Sequence, residues 1–124
     1  MNMRMHALVI EDEALIGMFI GDLLEEIGFD TVSLATTKAE AIESARISPP
    51  DFIASDIRLP DGTGVDAVRE IAGSLGKTPV VYVTGNPDEA PKPYSIVCEK
   101  PVSDTALREA VERALREASR SLPN

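Results

Sequence analysis

A chain of 124 residues, 44% hydrophobic and 27% charged, has the make-up of one globular domain. It is long enough to bury roughly two thirds of the surface that its unfolded chain exposes. A formal net charge of −9 argues against a general nucleic-acid or anionic-membrane binder, and a lone cysteine, Cys98, excludes an internal disulfide and any cysteine-built zinc site. The apolar runs are too short to span a bilayer and no secretory segment is visible, so a cytoplasmic domain is expected.

In chain order, "HALVI" (6–10) is a short continuous apolar run, the pattern of a strand buried on both faces. From Ala14 the period becomes helical, with Leu15, Ile16, Phe19, Ile20, Leu23, Leu24 and Ile27 on the expected inner face and Gly28 as the stop. "TVSLA" (31–35) reads as a second strand, and "TKAE" (37–40) as a capping box opening a helix that carries Ala41, Ile42 and Ala45 inward and ends before Pro49-Pro50.

"FIAS" (52–55) is the third strand, and "RLPDGTG" is turn chemistry leading into a helix marked by Val65, Val68, Ile71, Ala72 and Leu75. "PVVYVT" (79–84) is the fourth strand. Three prolines in "GNPDEAPKP" leave room for a single helical turn at most. "YSIVC" (94–98) is expected as the fifth strand. A last helix after Ser103-Asp104 carries the stripe Leu107, Ala110, Val111, Ala114, Leu115 and Ala118.

Strands alternating with helices imply an α/β domain with a parallel sheet covered on both sides. Ligands of such sheets bind beyond the carboxyl ends of the strands. Glu11, Asp12, Asp56 and Thr84 fall at such ends and Lys100 just past one, so all five are expected to converge. Crowded carboxylates need a cation, and Mg²⁺ (or Mn²⁺) suits oxygen ligands. Asp12 and Asp56 are expected as direct ligands, Glu11 directly or through water, with the backbone carbonyl of Arg58 as a further oxygen. A carboxylate can attack phosphorus, while a metal, a lysine and a hydroxyl stabilise the transferred oxygens. Asp56 is then the nucleophile, and Lys100 and Thr84 stabilise the phosphoryl group. Each residue also has a plainer reading: Asp12 or Glu13 as a cap of the first helix, Asp56 as a turn residue, Thr84 as a strand end, Lys100 as a surface lysine.

These residues together resemble the receiver domain of two-component response regulators, the CheY-like superfamily, over about Ala7 to Ala118. The resemblance is carried by Glu11-Asp12, by Asp56 with Pro60 and Gly64 following, by Thr84 with Gly85, and by Lys100-Pro101. It implies a flavodoxin-like five-stranded sheet of order 2-1-3-4-5 and a single receiver domain over 1–124, whereas the prolines after Thr84 are expected to leave the fourth helix short or absent. It also implies Asp56 as phosphoacceptor, Mg²⁺ on the acidic pair, and a cis Lys100–Pro101 peptide. The partners implied are a sensor histidine kinase or histidine phosphotransferase and a downstream protein, with the chain a monomer and no enzyme beyond its own phosphorylation and dephosphorylation.

Two departures from the family pattern stand out. Val97 occupies the place of the aromatic switch residue three before the lysine, and the Thr84–Lys100 interval is short. "VYVTGN" (81–86) is similar to stand-alone alphaproteobacterial receivers without that aromatic, and to receivers of general-stress regulators. The exposed side of the first helix is expected to include Ala14, Gly17, Met18, Gly21 and Glu25, a surface for a partner helix. Cys98 is expected as a buried small hydrophobe. One alternative is a receiver-like protein-binding module that works without phosphorylation. An aspartyl-nucleophile phosphatase is a further one, but it would carry a second aspartate where this chain has Arg58.

Overall fold

The computed structural model describes residues 4–120. Its elements are β1 (His6–Ile10), α1 (Ala14–Ile27), β2 (Thr31–Ala35), α2 (Lys38–Ile47), β3 (Phe52–Ser55), β4 (Arg58–Leu59), β5 (Gly62–Thr63), α3 (Gly64–Leu75), β6 (Val80–Thr84), β7 (Val97–Glu99) and α4 (Asp104–Arg120). Strands β2-β1-β3-β6-β7 form one parallel sheet. This is the expected order 2-1-3-4-5 once the short antiparallel β4–β5 ribbon is set aside. The fold is therefore the flavodoxin-like one.

Strand residues alternate between two cores, which is why β1, β3 and β6 are apolar apart from His6, Ser55 and Thr84 at their ends. Ala7, Val9, Phe52, Ala54, Val81 and Val83 pack with Ile20 and Leu24 of α1 and with Leu107 and Val111 of α4. Leu8, Ile10 and Ile53 face Ala41 and Ala45 of α2 and Ala67 and Ile71 of α3. Cys98 lies in the first core, 3% exposed, and burial pushes its thiol pKa up. That matches a small hydrophobe. α1 stops where expected: Gly28 takes φ 135°, which L side chains avoid, and its amide closes on the Leu24 and Glu25 carbonyls.

Where a fourth covering helix would lie, the chain forms only a 3₁₀ turn, Pro87–Glu89. A small third cluster, Ile57, Tyr82 and Ala90, fills the space beneath it. The prolines of this segment deny a helix its amide donors. Both Lys92–Pro93 and the expected Lys100–Pro101 peptide are cis. Among the described residues, no helix is long and apolar enough to cross a membrane.

Several expectations need correction. The last strand is Val97–Glu99 instead of 94–98. Pairing starts at the Ile96 carbonyl, which accepts from the Tyr82 amide at 2.9 Å. The preceding residues are tied elsewhere, since Ser95 Oγ donates to the Pro91 carbonyl and the Tyr94 hydroxyl to Glu117 on α4. On α1, Leu15 and Phe19 are 82% and 41% exposed, so the inner face is narrower than its apolar spacing implies.

Gly17 and Gly21, expected on the outer side, are buried. A Cβ at Gly21 would stand 3.5 Å from Val32 and 3.6 Å from Leu34, and one at Gly17 would stand 3.7 Å from the Glu11 side chain. A methyl group at either position would make only ordinary van der Waals contact, so these glycines are covered by neighbours without being required for the approach of α1. The capping box is only half formed. Thr37 Oγ1 accepts from the Glu40 amide at 3.0 Å, but Glu40 Oε1 accepts from the amide and hydroxyl of Thr36, one residue early. Neither Asp12 nor Glu13 caps α1: Glu13 is the N-cap residue, without a side-chain capping bond.

Candidate functional site

The parallel ladder fixes the backbone of Glu11, Asp56, Thr84 and Lys100. Glu11 donates its amide to the Ala35 carbonyl (2.9 Å), Asp56 to Ile10 (2.8 Å), and Lys100 to Thr84 (2.9 Å). These bonds tie the ends of β2, β1 and β3 together and the end of β7 to that of β6, and β3 pairs with β6 in the same sheet. Carboxylate oxygens of Glu11, Asp12 and Asp56 all lie within 4.8 Å of one another.

Lys100 completes the cluster, its Nζ 2.9 Å from Asp56 Oδ2 and 2.9 Å from Glu11 Oε1. The bond to Asp56 is a directed hydrogen bond. The approach to Glu11 Oε1 is a charge contact off the hydrogen-bonding direction, which leaves that buried oxygen without a directed donor. The remaining oxygens are engaged by the backbone. Asp56 Oδ1 accepts from the Ile57 amide at 2.7 Å, and Glu11 Oε2 from the Glu13 amide at 3.1 Å.

Charge and burial act against each other here. Burial raises the Glu11 pKa; the Lys100 ammonium and the Glu13 amide pull it down, and the Asp56 charge adds to the rise. For Lys100, burial favours the neutral amine, but the two carboxylates outweigh it and the pKa is raised. Three acidic groups around one lysine are short of positive charge, and Glu11 Oε1 has lone-pair capacity to spare. A hard divalent cation fits this donor set, because Mg²⁺ takes carboxylate oxygens and keeps waters of its own. Asp12 is exposed and Asp56 is 8% exposed, so the cluster is reachable from solvent.

Thr84 is fully buried, and its Oγ1 accepts from the Asn86 amide at 2.9 Å. Gly64 is required by contact. A Cβ there would stand 1.8 Å from the Asp56 carbonyl oxygen and 2.3 Å from Ser55 Oγ. The loop closes at this point, with the Gly64 amide donating to the Ile57 carbonyl at 2.7 Å and Ser55 Oγ to the Asp56 carbonyl at 2.7 Å. Pro60 is exposed in the β4–β5 turn. Gly85 is exposed, and a Cβ there meets nothing within 4 Å. Val97 lies against the Ile57–Tyr82–Ala90 cluster, opposite Tyr82 in the β6–β7 register.

Sequence reasoning missed two residues that frame the site. Asp61, in the β4–β5 turn, accepts from the Lys38 and Ala39 amides at 2.8 and 3.1 Å and so caps α2 from another loop. Those bonds hold its carboxyl below the usual carboxylate range. Glu89 receives both ends of the Arg58 guanidinium, at 3.0 and 2.7 Å. Neither contact follows a local spacing rule, since 22 or more residues separate the partners.

Known proteins resemble this chain in sequence and fold. The phyllosphere-induced regulator PhyR of Methylorubrum extorquens is 33% identical over 121 residues, spanning 92% of this chain and 45% of that protein. A crystal structure of a mutant of the anti-anti-sigma factor PhyR from Bartonella quintana superposes with a TM-score of 0.84 at 29% identity, over 96% of this chain and 51% of that one. The receiver domain of Erythrobacter litoralis PhyR, solved by NMR, gives 0.79 at 31% identity over 91% of both chains. The chain thus spans about half the length of the full-length PhyR proteins it matches. A family model described as the response regulator receiver domain matches residues 7–112, and the chain belongs to that family.

Proposed function

We propose that this protein is a phosphoacceptor signalling module of a two-component system or phosphorelay. In the proposed reaction an Asp56 oxygen attacks the phosphorus of a phosphohistidine. A P–O bond forms, the P–N bond breaks, and the imidazole leaves with the electron pair and takes up a proton. The observation that carries the reading is Lys100 Nζ at 2.9 Å from both Asp56 and Glu11, within a carboxylate group that converges inside 4.8 Å. Isolated surface lysines and acidic pairs do not meet in this way.

Glu11, Asp12, Asp56 and the Arg58 carbonyl would hold Mg²⁺, or Mn²⁺ in its place. When bound, that ion supplies positive charge to the phosphoryl oxygens. Lys100, already hydrogen-bonded to Asp56 Oδ2, would neutralise a phosphoryl oxygen and keep the Asp56 carboxylate oriented for attack. The Thr84 hydroxyl, turned toward the modified side chain, donates to a further oxygen. Pro60, Gly64 and Pro101 shape the loops that hold these groups. The protein would be its own catalyst for one phosphorylation and one dephosphorylation, not a multiple-turnover enzyme.

A histidine kinase or phosphotransfer protein would supply the phosphoryl group, and a downstream protein would read it. We place the protein in the cytoplasm as a monomer that engages neither nucleic acid nor membrane. Its net charge of −9 favours such a role. The Bartonella quintana relative is an anti-anti-sigma factor, and we take the half shared with this chain to be the phosphoryl-controlled half. Transfer of radiolabelled phosphoryl from a phosphohistidine donor to the wild type, and its loss in Asp56→Asn, tests the reading. Equal labelling of both proteins would refute it.

A second reading has two specific observations behind it. Val97 cannot perform the aromatic swing, and the fourth helix is replaced by a single 3₁₀ turn. A module that binds its partner regardless of phosphorylation would show equal partner affinity for wild type, Asp56→Asn and Asp56→Glu.

A further inference from the structure

The loop after Asp56 and the loop after Thr84 are fastened together by one ion pair. Arg58 Nε and Nη2 donate to Glu89 Oε1 and Oε2 at 3.0 and 2.7 Å, the two-pronged geometry that suits carboxylates and phosphates alike. Glu89 ends the 3₁₀ turn, and the other hydrogen bonds of the segment run to near neighbours in sequence, Ser95 Oγ to the Pro91 carbonyl among them. The Asn86 amide donates to Thr84 Oγ1 at 2.9 Å, the Glu89 amide to the Asn86 carbonyl at 3.0 Å, and the Ala90 amide to the Pro87 carbonyl at 3.1 Å.

Beneath this strap, Ala90 packs on Ile57 and Tyr82, and Tyr82 is only 6% exposed. The aromatic ring therefore sits across the strand pair from Val97, covered by a segment with few fastenings of its own. Arg58 is two residues from Asp56 and electrostatically coupled to it. The Glu89 carboxylate first, and the Asp56 charge to a smaller degree, hold the Arg58 guanidinium more firmly protonated than usual.

We propose that the Arg58–Glu89 pair is a latch: it keeps the strap of residues 86–93 closed while Asp56 is unmodified, and phosphorylation draws the guanidinium from Glu89 to the phosphoryl oxygens. The proposal rests on the phosphoacceptor reading of Asp56. A phosphoryl group adds nearly two negative charges and three strong acceptors to Asp56, two residues from an arginine that already has a carboxylate partner. Surface pairs are individually weak, so the latch biases a two-state strap instead of locking it. Release of Glu89 lets the turn lift, Ala90 leave Tyr82, and an aromatic side chain become available to a partner. Tyr82 would then do by uncovering what a rotating aromatic at residue 97 does elsewhere in the family.

Amide hydrogen exchange at Asn86, Glu89 and Ala90 tests this in wild type, Glu89→Gln and Arg58→Gln, each with and without beryllofluoride and Mg²⁺. In the unmodified state both variants should exchange several-fold faster than wild type at these three amides, with β1 and β3 unchanged. Beryllofluoride should bring wild type to the variants' rates and add little to Glu89→Gln. Unmodified variants that match wild type would overturn the latch. A ¹⁹F signal of bound beryllofluoride separates the two ideas. Binding without faster strap exchange in wild type defeats the latch alone, whereas no binding to wild type removes the phosphoacceptor reading and the trigger with it.

Discussion

Gly64 lies so near Asp56 that a methyl group on its α-carbon would stand 1.8 Å from the Asp56 carbonyl oxygen. No side-chain rotation relieves that overlap, because the obstacle is backbone. Gly64→Ala should therefore move the β3 loop, cost about 2–3 kcal/mol in urea unfolding, and reduce phosphotransfer. Gly85→Ala is the control. Its Cβ meets open space, and its unfolding free energy should stay within about 0.5 kcal/mol of wild type.

Lys100 is the cation that the buried carboxylates share. Its replacement by methionine keeps the aliphatic stem and leaves Glu11 and Asp56 facing each other without compensation. At neutral pH the metal-free variant should lose on the order of 3 kcal/mol of stability. Millimolar Mg²⁺ should restore part of that, and thermal or urea unfolding with and without the ion measures both quantities. A variant as stable as wild type without metal would mean that the carboxylates do not repel as their placement implies.

Glu11 sets a definite pH dependence. Its native pKa is raised, first by burial, so the folded protein binds the proton more tightly than the unfolded chain. Between the ordinary carboxylate value and the raised native one, the native state holds more protons. Stability from this group is therefore full below the unfolded value and falls as pH rises through the native value. Metal-free Glu11→Gln should show a flatter profile across that window, higher stability at neutral pH, and weaker Mg²⁺ uptake. Titrations of unfolding against pH, with EDTA and with Mg²⁺, check all three.

Asp61 caps α2 across the loop, so its loss should be local. In Asp61→Ala the Lys38 and Ala39 amides should exchange faster with solvent, while the Glu40 amide, held by Thr37 Oγ1, keeps its protection. Uniform loss of protection through α2 would mean that Asp61 supports the whole helix.

The sheet was legible because β1, β3 and β6 are buried on both faces and therefore carry uninterrupted apolar runs bounded by loop residues. The meeting of Glu11, Asp12, Asp56 and Lys100 followed from strand order, since parallel strands deliver their carboxyl ends to one edge. Periodicity misled on α1: it counts Leu15 and Phe19 as inner residues, although both are exposed. Small side chains are equally ambiguous, because Gly17 and Gly21 suit an open partner surface and a covered face alike, and the positions of Glu11 and of β2 decide. The last strand begins later than the 94–98 run suggests, since Tyr94 has strand propensity but its hydroxyl is tied to Glu117 on α4 and Ser95 Oγ to the Pro91 carbonyl. Asp61 on α2 and Glu89 on Arg58 were invisible for a simpler reason: long-range polar pairing has no periodic signature.

Incubation with a small-molecule phosphoryl donor such as phosphoramidate and Mg²⁺, followed by intact-mass measurement, bears on everything proposed for Asp56. Wild type should gain the mass of one phosphoryl group, lose it to hydroxylamine as an acyl phosphate does, and gain nothing in EDTA or as Asp56→Asn. A hydroxylamine-stable adduct, or the same adduct on Asp56→Asn, would contradict the assignment of Asp56 as the acceptor.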